Sequence, residues 1–318
     1  MEYAPSVSII INNFNYGRFL SEAIVSALDQ KYRGFEVIVV DDGSTDNSLD
    51  IVASYGNRLR LVSKENGGQA SAFNAGFATS IGEVICFLDS DDRFLPDKLS
   101  HIVNIFNRNA DIGWCFDNPK WFGTTTEEQQ LPGGPACDFG KVDVREMLSR
   151  GFAPYVPSAT SGLSFRRETL ERILPMPDVI RITSDNYVKI VALSIAPGWL
   201  CSETLSMQRI HSGNAYTNLA TGKRRLVGRT ELLIGICLHE RFPALERLAL
   251  KVVCHGLIKL LASGGLELEL RKRTLSYLRS VGLVTCLMAF ASSAGIVALR
   301  RLKRSHRAQL QQHGLERS

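Results

Sequence analysis

A chain of 318 residues that is 45% hydrophobic and 22% charged has the length and composition of one large globular domain, or of one domain with an appendage. The formal net charge of +5 is mild, and basic and aromatic residues do not interleave along the first two thirds, so no nucleic-acid partner is expected. Basic clusters at 271–273 and 300–304 instead favour an anionic membrane surface as a partner of the C-terminal region.

The cysteines indicate the compartment. They number seven, are scattered, and include no Cys-x-x-Cys pair, which is typical of reduced, buried thiols. Residues 1–5 show no basic region followed by an apolar run, so no signal peptide is expected there. Both observations predict a cytoplasmic protein.

Strands and helices alternate along the first 90 residues. Short β-branched runs are typical of strands buried on both faces, and apolar residues at helical spacing lie between them. This alternation predicts an α/β fold with a mostly parallel, doubly wound sheet and right-handed crossovers. The expected strands are 7–11, 35–40, 58–62 and 83–88, and the expected helices are 16–30, a capped helix at 44–55, and 67 to about 80.

Polar residues follow all four expected strands. Turn chemistry explains any one such loop, but it explains poorly why four loops at one edge of the sheet, where α/β proteins bind ligands, are all polar. The last loop holds three carboxylates, Asp89, Asp91 and Asp92, which resist ionising together unless a cation lies among them. Carboxylates without neighbouring His or Cys suit Mg²⁺ or Mn²⁺, which commonly bridge substrate phosphates.

The residues at the carboxyl ends of the expected strands indicate a nucleotide as the ligand. Neither a G-x-G-x-x-G motif nor a G-x-x-x-x-G-K-[ST] loop is present, which disfavours an ordinary dinucleotide or P-loop site. Phe14, beside the amides of Asn12 and Asn13, is suited to stack on a base while Asp42 accepts a hydrogen bond from the base edge. The sequence therefore predicts a nucleotide diphosphate site.

Several segments, in order and spacing, resemble glycosyltransferase family 2. They include Val-Val-Asp-Asp-Gly-Ser-Thr-Asp at 39–46, Asn-Gly-Gly at 66–68 and Phe-Leu-Asp-Ser-Asp-Asp at 87–92, and the resemblance extends over roughly residues 5–215. It implies the GT-A fold, a Rossmann-like mixed, mostly parallel sheet flanked by helices. It also implies an inverting transferase that uses a nucleotide-sugar donor with Mn²⁺ or Mg²⁺.

The resemblance implies a role for each matching residue. The residues expected to bind the nucleotide sugar are Asn12, Asn13, Phe14, Asn15, Asp42, Gly68, Asn74, Asp89 and Asp91. The residues expected to hold the metal are Asp91, Asp92 and His211. Phe14 stands where the family usually has Tyr, and Phe73 stands where many relatives have an Arg that could contact phosphate.

The acceptor half resembles the family in three places. Residues 160–168 resemble the family's S-G-x-x-F-R-R strand, and 208–214 resemble its Y-R-x-H-x-x-N element. Asp185 stands where the family has its E-D or x-D dipeptide, so it is the candidate catalytic base. A lone Asp before a helix is more often an N-cap. One base opposite a diphosphate leaving group suffices for a single displacement with inversion.

Two regions are predicted. Residues 1–222 form the transferase domain, with a donor half at 1–110 and an acceptor half at 111–222, and residues 223–318 form a helical appendage. The uncharged segment 281–299 is near the length that spans a bilayer, and a spanning, an in-plane and a buried helix all remain open. A cytoplasmic protein, peripheral or tail-anchored at the membrane, with a glycan or lipid-linked acceptor, is expected.

The leading hypothesis is an enzyme that moves one sugar, from a UDP-sugar donor, to a hydroxyl in cell-envelope polysaccharide synthesis. The alternative is a degenerate GT-A protein that binds nucleotide sugar or scaffolds partners at the membrane. Such a protein would be expected to have lost Asp91, Asp92 or Asp185, and all three are present.

Overall fold

The computed structural model describes residues 4–123, 139–156, 158–211, 213–214 and 224–282. The chain divides into two compact units, Met1–Asn218 and Leu219–Ser318. The first unit carries the β-sheets, and every strand and helix named below up to α7 belongs to it.

Four parallel strands form one half of the main sheet. In spatial order they are β3 (Arg60–Ser63), β2 (Phe35–Asp41), β1 (Val7–Asn13) and β4 (Val84–Asp89). Ile9, Ile10 and Ile11 of β1 are all fully buried, as expected of a central strand that is covered on both faces. The crossover helices are α1 (Gly17–Leu28), α2 (Ser48–Ala53) and α3 (Gln69–Thr79).

Helix α2 begins four residues later than the sequence suggests, because Ser44 does not cap it. The Ser44 hydroxyl instead accepts a hydrogen bond from the Asn15 backbone N–H at 2.9 Å. Asp46 binds the first turn, and its Oδ1 accepts the Ser48 N–H at 3.0 Å. Residues 42–47 therefore form the loop between β2 and α2, beside the end of β1.

The sheet continues past β4 with strands from the second half of the unit. Strand β9 (Leu163–Arg166) is antiparallel to both β4 and β6 (Trp114–Phe116), and β10 (Gly198–Leu200) runs parallel to β6. With β8 (Gly140–Val142) at the edge, the described residues form an eight-stranded sheet. The expected mixed, mostly parallel α/β fold is confirmed.

A second, three-stranded sheet was not expected from the sequence. It joins β5 (Arg93–Phe94), β11 (Ser206–Ile210) and β7 (Lys120–Gly123), which are far apart in the chain. The remaining helices of the unit are α4 (Lys98–Arg108), α5 (Arg145–Ser149), α6 (Arg167–Glu171) and α7 (Ser184–Ile195). Because β5 directly follows Asp92, its pairing with β11 brings residues 206–210 beside the acidic loop.

Aromatic side chains pack across the main sheet. Phe73 of α3 is fully buried and stacks on Phe87 of β4 with ring centroids 4.3 Å apart. Phe165 of β9 contacts the edges of both Phe87 and Phe116. Phe73, at the position where relatives carry Arg, is therefore a core residue that contributes no phosphate contact.

The second unit is helical where it is described. Its helices are α8 (Arg224–Arg241), α9 (Glu246–Leu261) and α10 (Leu268–Val281). A Cβ on Gly256 of α9 would lie 2.5 Å from the Leu232 backbone N of α8, so glycine permits the close approach of these two helices. Among the described helices, none combines the length and apolarity needed to cross a bilayer. From residue 283 onward, the segment 281–299 lies outside the described residues.

Candidate active site

A cavity of about 690 Å³ opens at the carboxyl ends of β1, β2 and β4 and beside the first turn of α7. All of its lining residues belong to the first unit. The predicted site residues that line it are Asn12, Asn13, Phe14, Asp42, Gly68, Asp89, Asp91, Asp92 and Asp185. The cavity thus brings most of the predicted donor, metal and catalytic residues to one place.

The acidic loop forms a compact cluster. One carboxylate oxygen from each of Asp89, Asp91 and Asp92 lies within 4.8 Å of the others. Burial, helped by the charge of Asp91, raises the pKa of Asp89 to about 7. Burial and the charges of Asp91 and Asp89 also raise the pKa of Asp92 well above its usual value. A divalent cation would offset this repulsion, and an all-oxygen donor set fits Mg²⁺ or Mn²⁺.

Asp91 is held by the residues that follow β11. Its Oδ2 lies 3.1 Å from His211 Nε2 and accepts a hydrogen bond from Asn214 Nδ2 at 3.2 Å. His211 Nδ1 accepts a hydrogen bond from the Gly213 backbone N–H at 3.0 Å. In the neutral ring, Nε2 therefore carries the proton and donates a hydrogen bond to Asp91. Both of these bonds end on Oδ2, which leaves Oδ1 of Asp91 for a metal ion.

His211 was expected to be a metal ligand itself, and the structure places it differently. It is 7% exposed and does not line the cavity. Its ring packs between Tyr16 and Phe19, with centroid distances of 5.6 and 4.8 Å. Its Nε2 faces Asp91, so His211 orients that carboxylate in this structure, and its role as a metal ligand stays a prediction.

Asp92 is anchored on both oxygens. Its Oδ2 accepts a hydrogen bond from the Ser161 hydroxyl at 2.6 Å, and its Oδ1 accepts the Arg209 backbone N–H at 2.8 Å. The Ser161 hydroxyl also accepts the Asp89 backbone N–H at 3.1 Å. One serine therefore links two carboxylates of the cluster, and it is the Ser of the S-G-x-x-F-R-R resemblance, to which no role of its own had been assigned.

Asp42 organises the loop after β3. Its Oδ1 accepts Lys64 Nζ at 2.7 Å and the Gly67 N–H at 2.9 Å, and its Oδ2 accepts the Gly68 N–H at 2.7 Å. A carboxylate offers about four acceptor positions, so Oδ2 retains one for a base edge. Asp42 therefore shapes the nucleotide wall and still has capacity to contact a ligand.

Gly68 allows the loop to pass under Arg181. Its φ of 87° and ψ of 175° lie in a region that is essentially restricted to glycine. A Cβ there would lie 2.6 Å from the Arg181 carbonyl oxygen, which accepts the next N–H, that of Gln69, at 2.8 Å. A side chain at position 68 would push the loop and the residues before α7 apart.

We expect Gly68→Ala to lower both stability and nucleotide affinity. Backbone strain alone costs about 1–3 kcal/mol, and the contact with Arg181 adds to it. The matched control is Gly34→Ala, because Gly34 also has a φ of 87° but its Cβ would meet nothing within 4 Å. Thermal unfolding and UDP titration should show the larger loss at position 68. Equal losses for the two variants would contradict this role of Gly68.

The first turn of the donor site is only partly as expected. Phe14 is 43% exposed on the cavity and is free to meet a base. Asn12 donates to Asp89 Oδ1 at 2.8 Å, and the buried Asn13 donates to Asp41 Oδ1 at 2.9 Å. These two amides therefore support the acidic loop and the second strand end, so Phe14 is the member of this turn best placed to contact the nucleotide.

Two predicted donor residues do not line the cavity. Asn15, with a positive φ of 58°, accepts the Thr45 N–H at 2.7 Å and so closes a local turn. Asn74 accepts the Met176 N–H at 2.8 Å and donates to the Met176 carbonyl, also at 2.8 Å. In this structure the Oδ1 atoms of both asparagines accept backbone N–H groups outside the cavity lining, and their contact with the donor stays a prediction.

Asp185 lies in the first turn of α7, but it is not the N-cap. The helix begins at Ser184, and the N-cap residue is Thr183. The Asp185 side chain is 14% exposed, and its Oδ2 pairs with Lys189 Nζ at 3.2 Å. Lys189 also donates to the Ser158 carbonyl at 2.5 Å. Asp185 is thus a cavity carboxylate with one fixed cationic partner.

Sequence reasoning missed two residues of the site, Gln69, which connects the acidic loop with α7, and Lys189, which pairs with Asp185. Gln69 accepts the Ser184 N–H at 2.9 Å, and its Nε2 lies within 3.4 Å of Asp89 Oδ1. Lys189 follows Asp185 by four residues, a spacing at which helical side chains meet, so the sequence did contain that signal. The charge of Asp185 also helps to raise the pKa of Asp89.

Known proteins resemble this chain both in sequence and in fold. A family model described as "Glycosyl transferase family 2" matches residues 8–170. An uncharacterized glycosyltransferase of Nostoc sp. (strain PCC 7120) is 37% identical over 221 residues, which cover 68% of each chain. The chain belongs to glycosyltransferase family 2. It is therefore a glycosyltransferase.

Two further similarities support less, one because it covers a small part of the chain and the other because its sequence identity is low. The chondroitin synthase of Pasteurella multocida (strain Pm70) is 45% identical over 115 residues, which cover 35% of this chain and 12% of the synthase. The crystal structure of S. aureus TarS 1-349 has a TM-score of 0.58 at 16% identity, covering 91% of this chain and 80% of that chain. The TarS comparison supports the glycosyltransferase fold alone.

Proposed function

We propose that this glycosyltransferase moves one sugar from a UDP-sugar to a hydroxyl group, with inversion at the anomeric carbon. The observation that carries the proposal is that a three-carboxylate cluster, an exposed aromatic beside Asp42 and a separate carboxylate, Asp185, share one cavity. The TarS fragment whose fold is similar was crystallised in complex with UDP-GlcNAc, which supports UDP as the nucleotide.

The chain's own residues supply binding, orientation and proton transfer. Phe14 stacks on the base, and Asp42 accepts a hydrogen bond from its edge. The carboxylates of Asp89, Asp91 and Asp92 would hold a divalent ion, Mn²⁺ or Mg²⁺, which would neutralise charge on the diphosphate. Asp185 accepts the proton of the acceptor hydroxyl while that oxygen forms the new bond to the anomeric carbon. The bond to the diphosphate oxygen breaks with its electron pair on UDP.

A degenerate binding protein is less well supported. Such a protein needs neither a fixed base nor a charge-crowded cluster. Here, Lys189, which also donates to the Ser158 carbonyl, pairs with Asp185, and several donors hold Asp91 and Asp92. A catalytic role explains why these carboxylates are held in fixed positions, whereas a role in recruiting partners does not require it.

A donor panel tests the proposed function. The purified full chain is incubated with UDP-, GDP- and dTDP-sugars and Mn²⁺, and release of free nucleotide is followed by chromatography. Transferases of this kind commonly hydrolyse their donor slowly without acceptor, so one nucleotide sugar should be consumed, and EDTA should stop the reaction. Turnover of no nucleotide sugar, with or without a hydroxyl acceptor, would contradict the proposal.

We further propose that the second unit binds an anionic bilayer, which would place the enzyme near a lipid-linked or envelope acceptor. Helix α10 buries Leu270, Thr274 and Tyr277 on one face. On the opposite face, residues at helical spacing form a row of exposed side chains. That row consists of Leu268, Lys272, Leu275 and Arg279, with Leu268 71% and Leu275 52% exposed. Leucines alternating with basic residues suit a headgroup surface.

Vesicle sedimentation tests this membrane contact. The full chain should bind vesicles that contain phosphatidylserine more strongly than purely zwitterionic ones, and Lys272→Glu with Arg279→Glu should weaken binding by about tenfold or more, at about 1 kcal/mol per basic residue removed. Arg58→Glu with Arg108→Glu makes the same charge change on exposed positions of the first unit and should matter less. Equal binding of both double variants would contradict the proposal.

A further inference from the structure

A fully buried ion pair lies beneath the acidic cluster. Lys98, the first residue of α4, and Asp117, just after β6, are each 0% exposed, and Lys98 Nζ bonds to Asp117 Oδ1. The ammonium group also lies 4.6 Å from the centre of the Phe94 ring. Neither charged group lines the cavity, so neither contacts substrate.

The lysine side of the pair reaches the cluster through Ser161. Lys98 Nζ donates to the Ser161 carbonyl oxygen at 3.0 Å. The hydroxyl of the same serine donates to Asp92 Oδ2 at 2.6 Å and accepts the Asp89 N–H at 3.1 Å. Lys98 therefore fixes the backbone of the residue that joins two of the three clustered carboxylates.

The aspartate side reaches the cluster through β11. Asp117 Oδ2 accepts the Ser206 hydroxyl at 2.5 Å and the Leu205 N–H at 3.3 Å. Three residues further along the same strand, the Arg209 N–H donates to Asp92 Oδ1 at 2.8 Å. The two ends of one ion pair thus anchor the two segments that supply both donors of Asp92.

Stability alone gives a weak reason for this arrangement. Desolvating two charges costs several kcal/mol per ion, and apolar replacements of buried pairs are often neutral or stabilising. Hydrogen bonds that orient metal-binding carboxylates, in contrast, commonly change metal affinity when they are removed. The pair ties together α4, the end of β6, β11 and the turn that contains Ser161.

We propose that Lys98 and Asp117 are positioning residues that hold Asp92, and through Ser161 also Asp89, in a geometry that binds a divalent cation. The inference rests on the proposed metal-dependent transfer. It assigns to the pair a role in metal affinity that is separable from its role in stability. Because neither residue contacts the reacting atoms, replacing them should change the half-saturating Mn²⁺ concentration more than it changes kcat at saturating Mn²⁺.

The test uses Lys98→Met with Asp117→Asn, which removes both charges and retains an acceptor for Ser206. Lys98→Met alone leaves a buried unpaired carboxylate and should unfold at a lower temperature than the double variant. Mn²⁺ binding to the full chain is measured by the loss of the free Mn²⁺ electron paramagnetic resonance signal. We expect the double variant, although folded, to bind Mn²⁺ about 10- to 100-fold more weakly than the native protein.

The matched control is Lys31→Met with Asp97→Asn. This pair has the same residue types and Asp97 adjoins Lys98, but its side chains are 65% and 50% exposed. Its Mn²⁺ affinity should equal the native value. A folded Lys98→Met, Asp117→Asn protein with native Mn²⁺ affinity would overturn the inference.

Ser161→Ala provides a second test if the double variant does not fold. Weakened Mn²⁺ binding by this variant supports the chain of contacts, and unchanged binding overturns it. If the native protein binds no Mn²⁺ or Mg²⁺ at all, the proposed metal-dependent function fails, and the inference fails with it. If the native protein binds Mn²⁺ and all of these variants bind it with the same affinity, the inference alone fails and the proposed function stands.

Discussion

Asp91→Asn is expected to lower kcat/KM by about 10²- to 10³-fold, the loss typical when one group that stabilises developing charge is removed. Asp91 is 13% exposed, and His211 and Asn214 both contact its Oδ2, so its Oδ1 has room for a cation. Asparagine keeps the shape and can still accept hydrogen bonds, but it removes one negative charge from the cluster. Mn²⁺ titrations of initial rate should show a higher half-saturating concentration.

The control for Asp91→Asn is Asp29→Asn, an exposed carboxylate at the end of α1 that does not line the cavity. It makes the same charge change and should leave kcat/KM near the native value. Asp92→Ala should also be close to inactive, because it deletes the acceptor of both Ser161 and Arg209. An Asp91→Asn enzyme with native rate and native Mn²⁺ response would remove this residue from the metal site.

Asp185→Asn is expected to reduce transfer by about 10²- to 10⁴-fold, the usual contribution of a general base, because an amide cannot accept the acceptor's proton. Donor binding should persist, since Phe14, Asp42 and the acidic cluster are unchanged. The measurement pairs steady-state transfer with calorimetric titration of the donor. A fall in kcat at nearly constant donor affinity is the pattern of a group needed only in the transition state.

Asp178→Asn is the matched control for that variant. Asp178 lies a few residues before α7, is exposed, and bonds to Asn74 outside the cavity, with Asn74 Nδ2 3.1 Å from its Oδ1. It should transfer sugar at the native rate. Substantial transfer by Asp185→Asn would assign the base to another carboxylate of the cavity.

Short-range patterns in the sequence predicted the strands and the polar residues at their ends. β-branched runs ended at Asn13, Asp41 and Asp89, and parallel strands necessarily present such ends at one edge. The spacing of Asp89, Asp91 and Asp92 therefore sufficed to predict their clustering and their mutual repulsion, which adds to burial in raising the pKa values of Asp89 and Asp92.

Long-range contacts decide the role of a polar side chain, and short-range patterns do not show them. Asn15 and Asn74 share sequence motifs with donor-binding residues, but their Oδ1 atoms accept hydrogen bonds from the backbone N–H groups of Thr45 and Met176, and neither asparagine lines the cavity. For His211, the decisive contact is with Asp91, which is 120 residues away in the chain and whose Oδ2 lies 3.1 Å from His211 Nε2. The hydrophobic periodicity of a sequence does not predict contacts between residues that are far apart in the chain.

The second sheet and the buried pair were invisible for a related reason. Strand β5 has two residues and β11 has five, too few for a periodic signal, and they are far apart in the sequence. Nothing in the local sequence distinguishes Lys98 from an exposed charged residue. Only the packing of α4 against β6 shows that its charge is buried against Asp117.

Calorimetric titration of the native protein with UDP, in Mn²⁺ and again after EDTA treatment, is the most direct test of the central claim that the acidic cluster binds the diphosphate through a divalent ion. Affinity should fall by at least about tenfold when the ion is removed, which corresponds to about 1.4 kcal/mol, and it should recover when Mn²⁺ is restored. Equal UDP affinity with and without the ion would contradict the claim.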